Sequence, residues 1–127
     1  MFEITVEKTF AAGHYLRGYR GKCEKPHGHN YRVKLTLRGE RLDQVGLLYD
    51  FAEMKAMLRE IAARLDHQMM NEVPPFDRLN PSAENLALYF YQETARRLRE
   101  RGPESGARVA SVTVWETDTT TATYSAQ

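Results

Sequence analysis

The sequence predicts an α+β domain in which a four-stranded antiparallel sheet carries two helices on one face, in the order β-β-α-α-β-β. Three observations carry this reading. Apolar and polar residues alternate near both ends of the chain, the period of a strand with one buried face. Two central segments repeat their apolar residues at three- and four-residue steps, the period of a helix. And 127 residues make a single domain, 1–127, with no internal repeat, low-complexity tract or linker to divide it.

The elements follow in order. Over residues 2 to 10, Phe2, Ile4, Val6 and Phe10 share one face while Glu3, Thr5, Glu7 and Thr9 share the other. Residues 31 to 38 alternate more cleanly, with Tyr31, Val33, Leu35 and Leu37 against Arg32, Lys34, Thr36 and Arg38. The stretch between them, HYLRGYRGKCEKPHG, holds three glycines and a proline and reads as a loop. These two strands therefore form a long-looped antiparallel pair. Asp50 is placed to cap a first helix whose stripe is Phe51, Met54, Leu58, Ile61, Ala62 and Leu65, ending near Asp66-His67. The segment NEVPPFDRLNP contains three of the five prolines and interrupts regular structure. Ser82 caps a second helix, with Glu84 favourable in its first turn and Leu86, Ala87, Phe90, Tyr91, Ala95 and Leu98 along its stripe. That helix stops before Gly102-Pro103. Residues 108 to 117 and 121 to 125 read as the third and fourth strands. Four strands do not close a barrel, and the open edges call for cover, blunting or pairing with another copy.

Composition narrows the function classes. A formal net charge of +1 with 28% charged residues offers no basic excess for nucleic acid and no acidic tail. No apolar run approaches the ~18 residues of a membrane span. The segment MFEITVEKTF lacks the charged-then-apolar order of a signal peptide, and one cysteine forms no internal disulfide, so a reducing cytoplasm is the expected location.

The informative stretch is CEKPHGHNY, residues 23 to 31, which holds the only cysteine and two of the four histidines. His27 and His29, at i and i+2 of a strand, project to the same face. His14 sits just past the expected end of the first strand, which pairs with the second. Three imidazoles around a divalent cation with an open fourth position make a catalytic zinc pattern. The plain alternative is a set of surface histidines. A cupin site, which also uses His-x-His, expects a glutamate four or five residues on, whereas the next acidic residue is Glu40. Cys23, four residues before His27, is a candidate general base or else an inert thiol. Asp66-His67 reads either as a carboxylate–imidazole couple or as the end of a helix where histidine suits the dipole. Glu116 shares the parity of Val112 and Val114. It either points inward to accept a ligand's paired N–H groups or is solvated at the strand end.

These pieces together resemble the 6-pyruvoyl-tetrahydropterin synthase family, and within it the bacterial 6-carboxy-tetrahydropterin synthases of queuosine biosynthesis. The similarity runs nearly end to end. It rests on Phe10-x-Ala12-x-His14, Cys23-x-x-x-His27-Gly28-His29, Gly46-x-x-x-Asp50-Phe51, Leu65-Asp66-His67 with Asn71, Pro81-Ser82-x-Glu84-Asn85, Glu116-Thr117 and Ala122-x-Tyr124. The short gap from Cys23 to His27 is typical of the carboxy branch. The resemblance implies that His14, His27 and His29 hold Zn2+, that Cys23, Asp66 and His67 carry proton transfers, and that Glu116 with Thr117 anchors the pterin. It further implies the tunnelling fold, in which three chains share a twelve-stranded barrel and two rings stack into a homo-hexamer with active sites between subunits. The implied reaction converts 7,8-dihydroneopterin triphosphate to 6-carboxy-5,6,7,8-tetrahydropterin, acetaldehyde and triphosphate. Arg17, Arg20, Lys22 and Lys25 are candidates to receive the triphosphate. Glu24 fits the Glu-x-x-His-Gly-His form of members that cleave the dihydroneopterin side chain for folate synthesis, so a dual activity is a second implication, against an ordinary loop glutamate. A non-catalytic pterin- or metal-binding protein is the alternative from another class.

Overall fold

The computed structural model describes residues 1–21 and 24–126. Its elements are β1 (Phe2–His14), β2 (His27–Gly39), α1 (Phe51–Ala63), α2 (Ala83–Arg101), β3 (Arg108–Thr117) and β4 (Thr120–Ser125), with a short 3-10 turn at Met70–Glu72 before α2. The sheet order is β1-β2-β3-β4, and every neighbouring pair is antiparallel. The expected β-β-α-α-β-β order is therefore the observed one. Among the described residues no helix is long and apolar enough to cross a membrane.

Three boundaries differ clearly from the expectation, each for a physical reason. β1 continues to His14 and β2 starts at His27, because the ladder runs on through Ala11↔Asn30, Ala12↔His29, Gly13↔Gly28 and His14↔His27. Small residues there permit close pairing without any hydrophobic alternation. Helix α1 ends at Ala63, short of Asp66-His67. His67 has φ 59°, which no right-handed helix accommodates, and its N–H donates to the Ala11 carbonyl at 2.6 Å.

The core lies between the sheet and the two helices. Tyr31, Val33, Leu35 and Leu37 of β2 are fully buried, as are Val112 and Val114 of β3. Against them α1 turns Met54, Met57, Leu58 and Ile61, and α2 turns Leu86, Ala87 and Phe90. Phe51, placed on the stripe by sequence, is exposed at the first helical position. The Phe10 ring stacks on Tyr31 at 5.2 Å and tilts against Phe90 at 5.9 Å. These three rings lie directly beneath the end of the sheet that carries the histidines. Phe90→Ala is expected to cost about 3–5 kcal/mol through lost burial and a residual cavity. A urea titration reads this as a lower midpoint with an unchanged slope.

Both helices carry side-chain caps, and that of α2 lies at the histidine end of the sheet. The Asp50 carboxylate accepts from the Ala52 N–H at 2.6 Å, and the Ser82 hydroxyl accepts from the Asn85 N–H at 3.1 Å. The second cap fixes the Pro81-Ser82 junction, whose Pro81 carbonyl lies against His14.

Candidate active site

Register builds the site. His14 and His27 are direct partners across β1 and β2, and His29 opposes Ala12. His27 and His29 share the parity of buried Tyr31, so their rings lie on the helix-covered side. On β3 the register shifts between Trp115 and Thr117. Glu116 sits in that irregularity and joins the histidines, so that one donor atom from each of His14, His27, His29 and Glu116 lies within 4.8 Å of every other. Glu116 Oε1 is 3.2 Å from His14 Nε2 and 3.0 Å from His29 Nε2.

The surroundings fix the ring tautomers. His14 Nδ1 lies 2.7 Å from the Pro81 carbonyl, and His27 Nδ1 lies 2.7 Å from the Lys25 carbonyl. A carbonyl only accepts, so each Nδ1 carries the proton and each Nε2 presents a lone pair. Those two Nε2 atoms are 3.0 Å apart. Two lone pairs that close repel unless a positive charge accompanies them. His29 Nε2 is buried and, despite its nearness to Glu116, lacks hydrogen-bond geometry with any described residue. Burial holds the His29 pKa below the ordinary histidine value, against the opposing pull of the Glu116 carboxylate. The neutral imidazole that results is the metal-binding form. Three imidazole nitrogens and one carboxylate oxygen suit a divalent ion such as zinc.

A second layer holds these ligands. The Tyr31 hydroxyl lies 3.1 Å from His14 Nδ1, and burial pushes its pKa up, so it stays protonated. The Asn71 amide bonds both the N–H and the carbonyl of Tyr15, and the Asn80 amide does the same for Arg17. Arg17 Nη2 donates to the carbonyls of Asn71 and Phe76. Of the basic candidates for triphosphate, Arg17 is thus engaged in clamping the chain as it leaves His14. Sequence reasoning missed Tyr31, Asn80 and the two carbonyls. Tyr31 alone had a signal, its shared parity with His27 and His29.

Asp66 and His67 form the expected couple, with His67 Nδ1 3.0 Å from Asp66 Oδ1. The Ala11 N–H donates to the same Oδ1 at 3.0 Å. That backbone bond, followed by the His67 side chain, holds the Asp66 carboxyl below the usual range. The carboxylate accepts from Nδ1, so His67 presents Nε2 outward from a side chain that is 81% exposed. Among the described residues no hydrogen bond or ion pair joins His67 to the other histidines. His67 and His29 do line a common shallow cleft of about 480 Å³, floored by Ala11, Gly13, Gly28 and Asn30. Glu24 is exposed, and its backbone N–H bonds the Gly21 carbonyl at 3.2 Å. The Thr117 hydroxyl lies 2.6 Å from that of Thr120 across the β3–β4 turn. Cys23 and Lys22 lie outside the described residues.

A family model described as 6-pyruvoyl tetrahydropterin synthase matches residues 3–127. The chain belongs to this family. A 6-carboxy-5,6,7,8-tetrahydropterin synthase of Synechocystis is 31% identical over 129 residues, covering 98% of this chain and 93% of the relative. A 6-pyruvoyl tetrahydrobiopterin synthase of Poecilia reticulata is 34% identical over 109 residues, covering 75% of this chain and 74% of its own. Among solved structures, the Caenorhabditis elegans 6-pyruvoyl tetrahydropterin synthase superposes with a TM-score of 0.82 at 27% identity, over 100% of this chain and 98% of that one. The pterin synthase family thus accounts for the α+β architecture, and names from two of its branches occur among the relatives.

Proposed function

We propose that the chain is a zinc-dependent 6-carboxy-5,6,7,8-tetrahydropterin synthase that converts 7,8-dihydroneopterin triphosphate and one water to carboxy-tetrahydropterin, acetaldehyde and triphosphate for queuosine synthesis. The observation that carries the reading is the convergence of three imidazoles and one carboxylate on a common point, with the Nδ1 atoms of His14 and His27 held by backbone carbonyls. The carboxy branch is favoured over the pyruvoyl branch by the short Cys23–His27 gap and by the near full-length match to the Synechocystis relative.

His14, His27 and His29 would hold the zinc ion, which supplies Lewis acidity that loosens protons on a neighbouring substrate. Cys23 is the base for a carbon-bound proton. His67, whose tautomer Asp66 sets, moves a second proton at Nε2. Glu116, with Thr117 beside it, receives the amino-pyrimidine edge through two parallel hydrogen bonds. The exposed His67 and the edge of β1 before Ala11, which pairs with no described strand other than β2, support a homo-hexamer of two stacked rings. In that assembly the sheet continues between chains, and each couple faces a neighbour's cluster. The two open sheet edges would then be paired.

A second activity rests on Glu24, an exposed carboxylate three residues before His27. In this reading it assists cleavage of the dihydroneopterin side chain to 6-hydroxymethyl-dihydropterin for folate synthesis. Incubating zinc-loaded protein with dihydroneopterin triphosphate and with dihydroneopterin, then identifying products by mass, tests both readings. Carboxy-tetrahydropterin with acetaldehyde is the expected result, and its absence from zinc-loaded protein would sink the main proposal. Hydroxymethyl-dihydropterin formation that survives Glu24→Gln unchanged would remove Glu24 from the mechanism.

A further inference from the structure

Glu116 stands where two demands on one side chain collide. A paired N–H edge needs both oxygens of a carboxylate. Yet Glu116 Oε1 lies 3.0 Å from His29 Nε2 and 3.2 Å from His14 Nε2, inside the donor cluster. A four-donor protein set is also the arrangement of a closed structural site, whereas catalytic sites keep a position open. We propose that Glu116 is an exchangeable fourth donor. It closes the metal site while no ligand is present and leaves when a hydroxylated pterin enters, and the freed carboxylate then takes the ligand's N–H pair. This inference rests on the pterin reading given above.

Restraint on the four donors decides which of them yields. His14 is 1% exposed and is held by the Pro81 carbonyl and the Tyr31 hydroxyl. His27 is held by the Lys25 carbonyl. Glu116 is 27% exposed, and its side chain makes no hydrogen bond to any described residue beyond its approach to the two histidines. Its backbone sits in the β3 irregularity, next to the tight turn closed by Thr117 and Thr120. His29 makes no hydrogen bond to a described residue either, but its ring is 20% exposed and packs against those of His14, His27 and Tyr31 at 5.1, 4.9 and 5.5 Å, so Glu116 is the donor freest to leave.

The test uses the full protein loaded with cobalt(II), whose visible absorption reports donor number and geometry. Wild-type protein is expected to give a strong four-coordinate band. In Glu116→Gln the band changes, and affinity in chelator competition falls on the order of tenfold or more. Adding 7,8-dihydroneopterin is expected to shift the wild-type band, whereas pterin without the hydroxylated side chain leaves it in place. Equal unfolding midpoints for the metal-free wild type and Glu116→Gln establish that the change is local. A Glu116→Gln protein with wild-type affinity and band overturns the inference. So does a wild-type band that dihydroneopterin does not move. If product still forms in either case, the proposed reaction stands while the exchange fails. A responsive cobalt site in a protein that makes no product is the reverse outcome.

Discussion

His14→Ala is expected to abolish metal retention and to lower turnover by ~10³-fold, since a metal ion worth several kcal/mol to the transition state, here about 4, corresponds to that factor. The substitution also destabilises the fold. His14 is buried, and its loss leaves the Pro81 carbonyl and the Tyr31 hydroxyl without their ring partner. Unpaired buried polar groups cost about 1–3 kcal/mol each. His27→Ala separates the two effects. Its ring is only partly buried and is held by a single carbonyl of the adjacent loop, so it should lose metal while keeping most of its stability. Metal content after dialysis, turnover and thermal melting on the same samples decide the matter. A His14→Ala protein that keeps stoichiometric metal and near wild-type turnover would remove the imidazole cluster from the mechanism.

The parts of this site that were legible in the sequence are those set by strand parity. Tyr31, Val33, Leu35 and Leu37 alternate, and the same parity carried backward places His27 and His29 on one face. The extension of β1 to His14 was not legible, because Ala11, Ala12 and Gly13 show no alternation and are held by backbone pairing and, at the Ala11 N–H, by the Asp66 carboxylate. The apolar stripe of α1 overshot its end. Leu65 is fully buried like a helical stripe residue, but it sits in the turns after Ala63, where packing continues and the helix does not. Parity left Glu116 either inward or solvated at the strand end; an irregularity between Trp115 and Thr117 delivers it to the histidines, and side-chain patterning does not encode such a shift. The Pro81 and Lys25 carbonyls are backbone groups, so no residue type announces them.

Mixing two inactive proteins is expected to restore activity. His67→Ala alone should lower turnover by about 10²–10⁴-fold, the usual worth of a positioned acid–base group, with metal content unchanged. The mixed sample pairs it with His14→Ala, which lacks metal but keeps its Asp66–His67 couple. Both proteins are co-expressed with separable tags so that any assembly draws on both chains. The couple is bound to the outer edge of β1 through Ala11, and its imidazole is 81% exposed, a poor setting for proton transfer unless another surface covers it. If a neighbouring chain supplies that surface, each site takes its metal ligands from one chain and its couple from the next. In a random ring each member of that pair is intact half the time, so about a quarter of the sites recover both. A return to roughly a quarter of wild-type turnover, carried only by material bearing both tags, is therefore the expected result. Activity that stays at the level of the single variants would place the working couple and cluster in one chain, joined across the cleft that His29 and His67 share. The assembly would then have no part in completing the site.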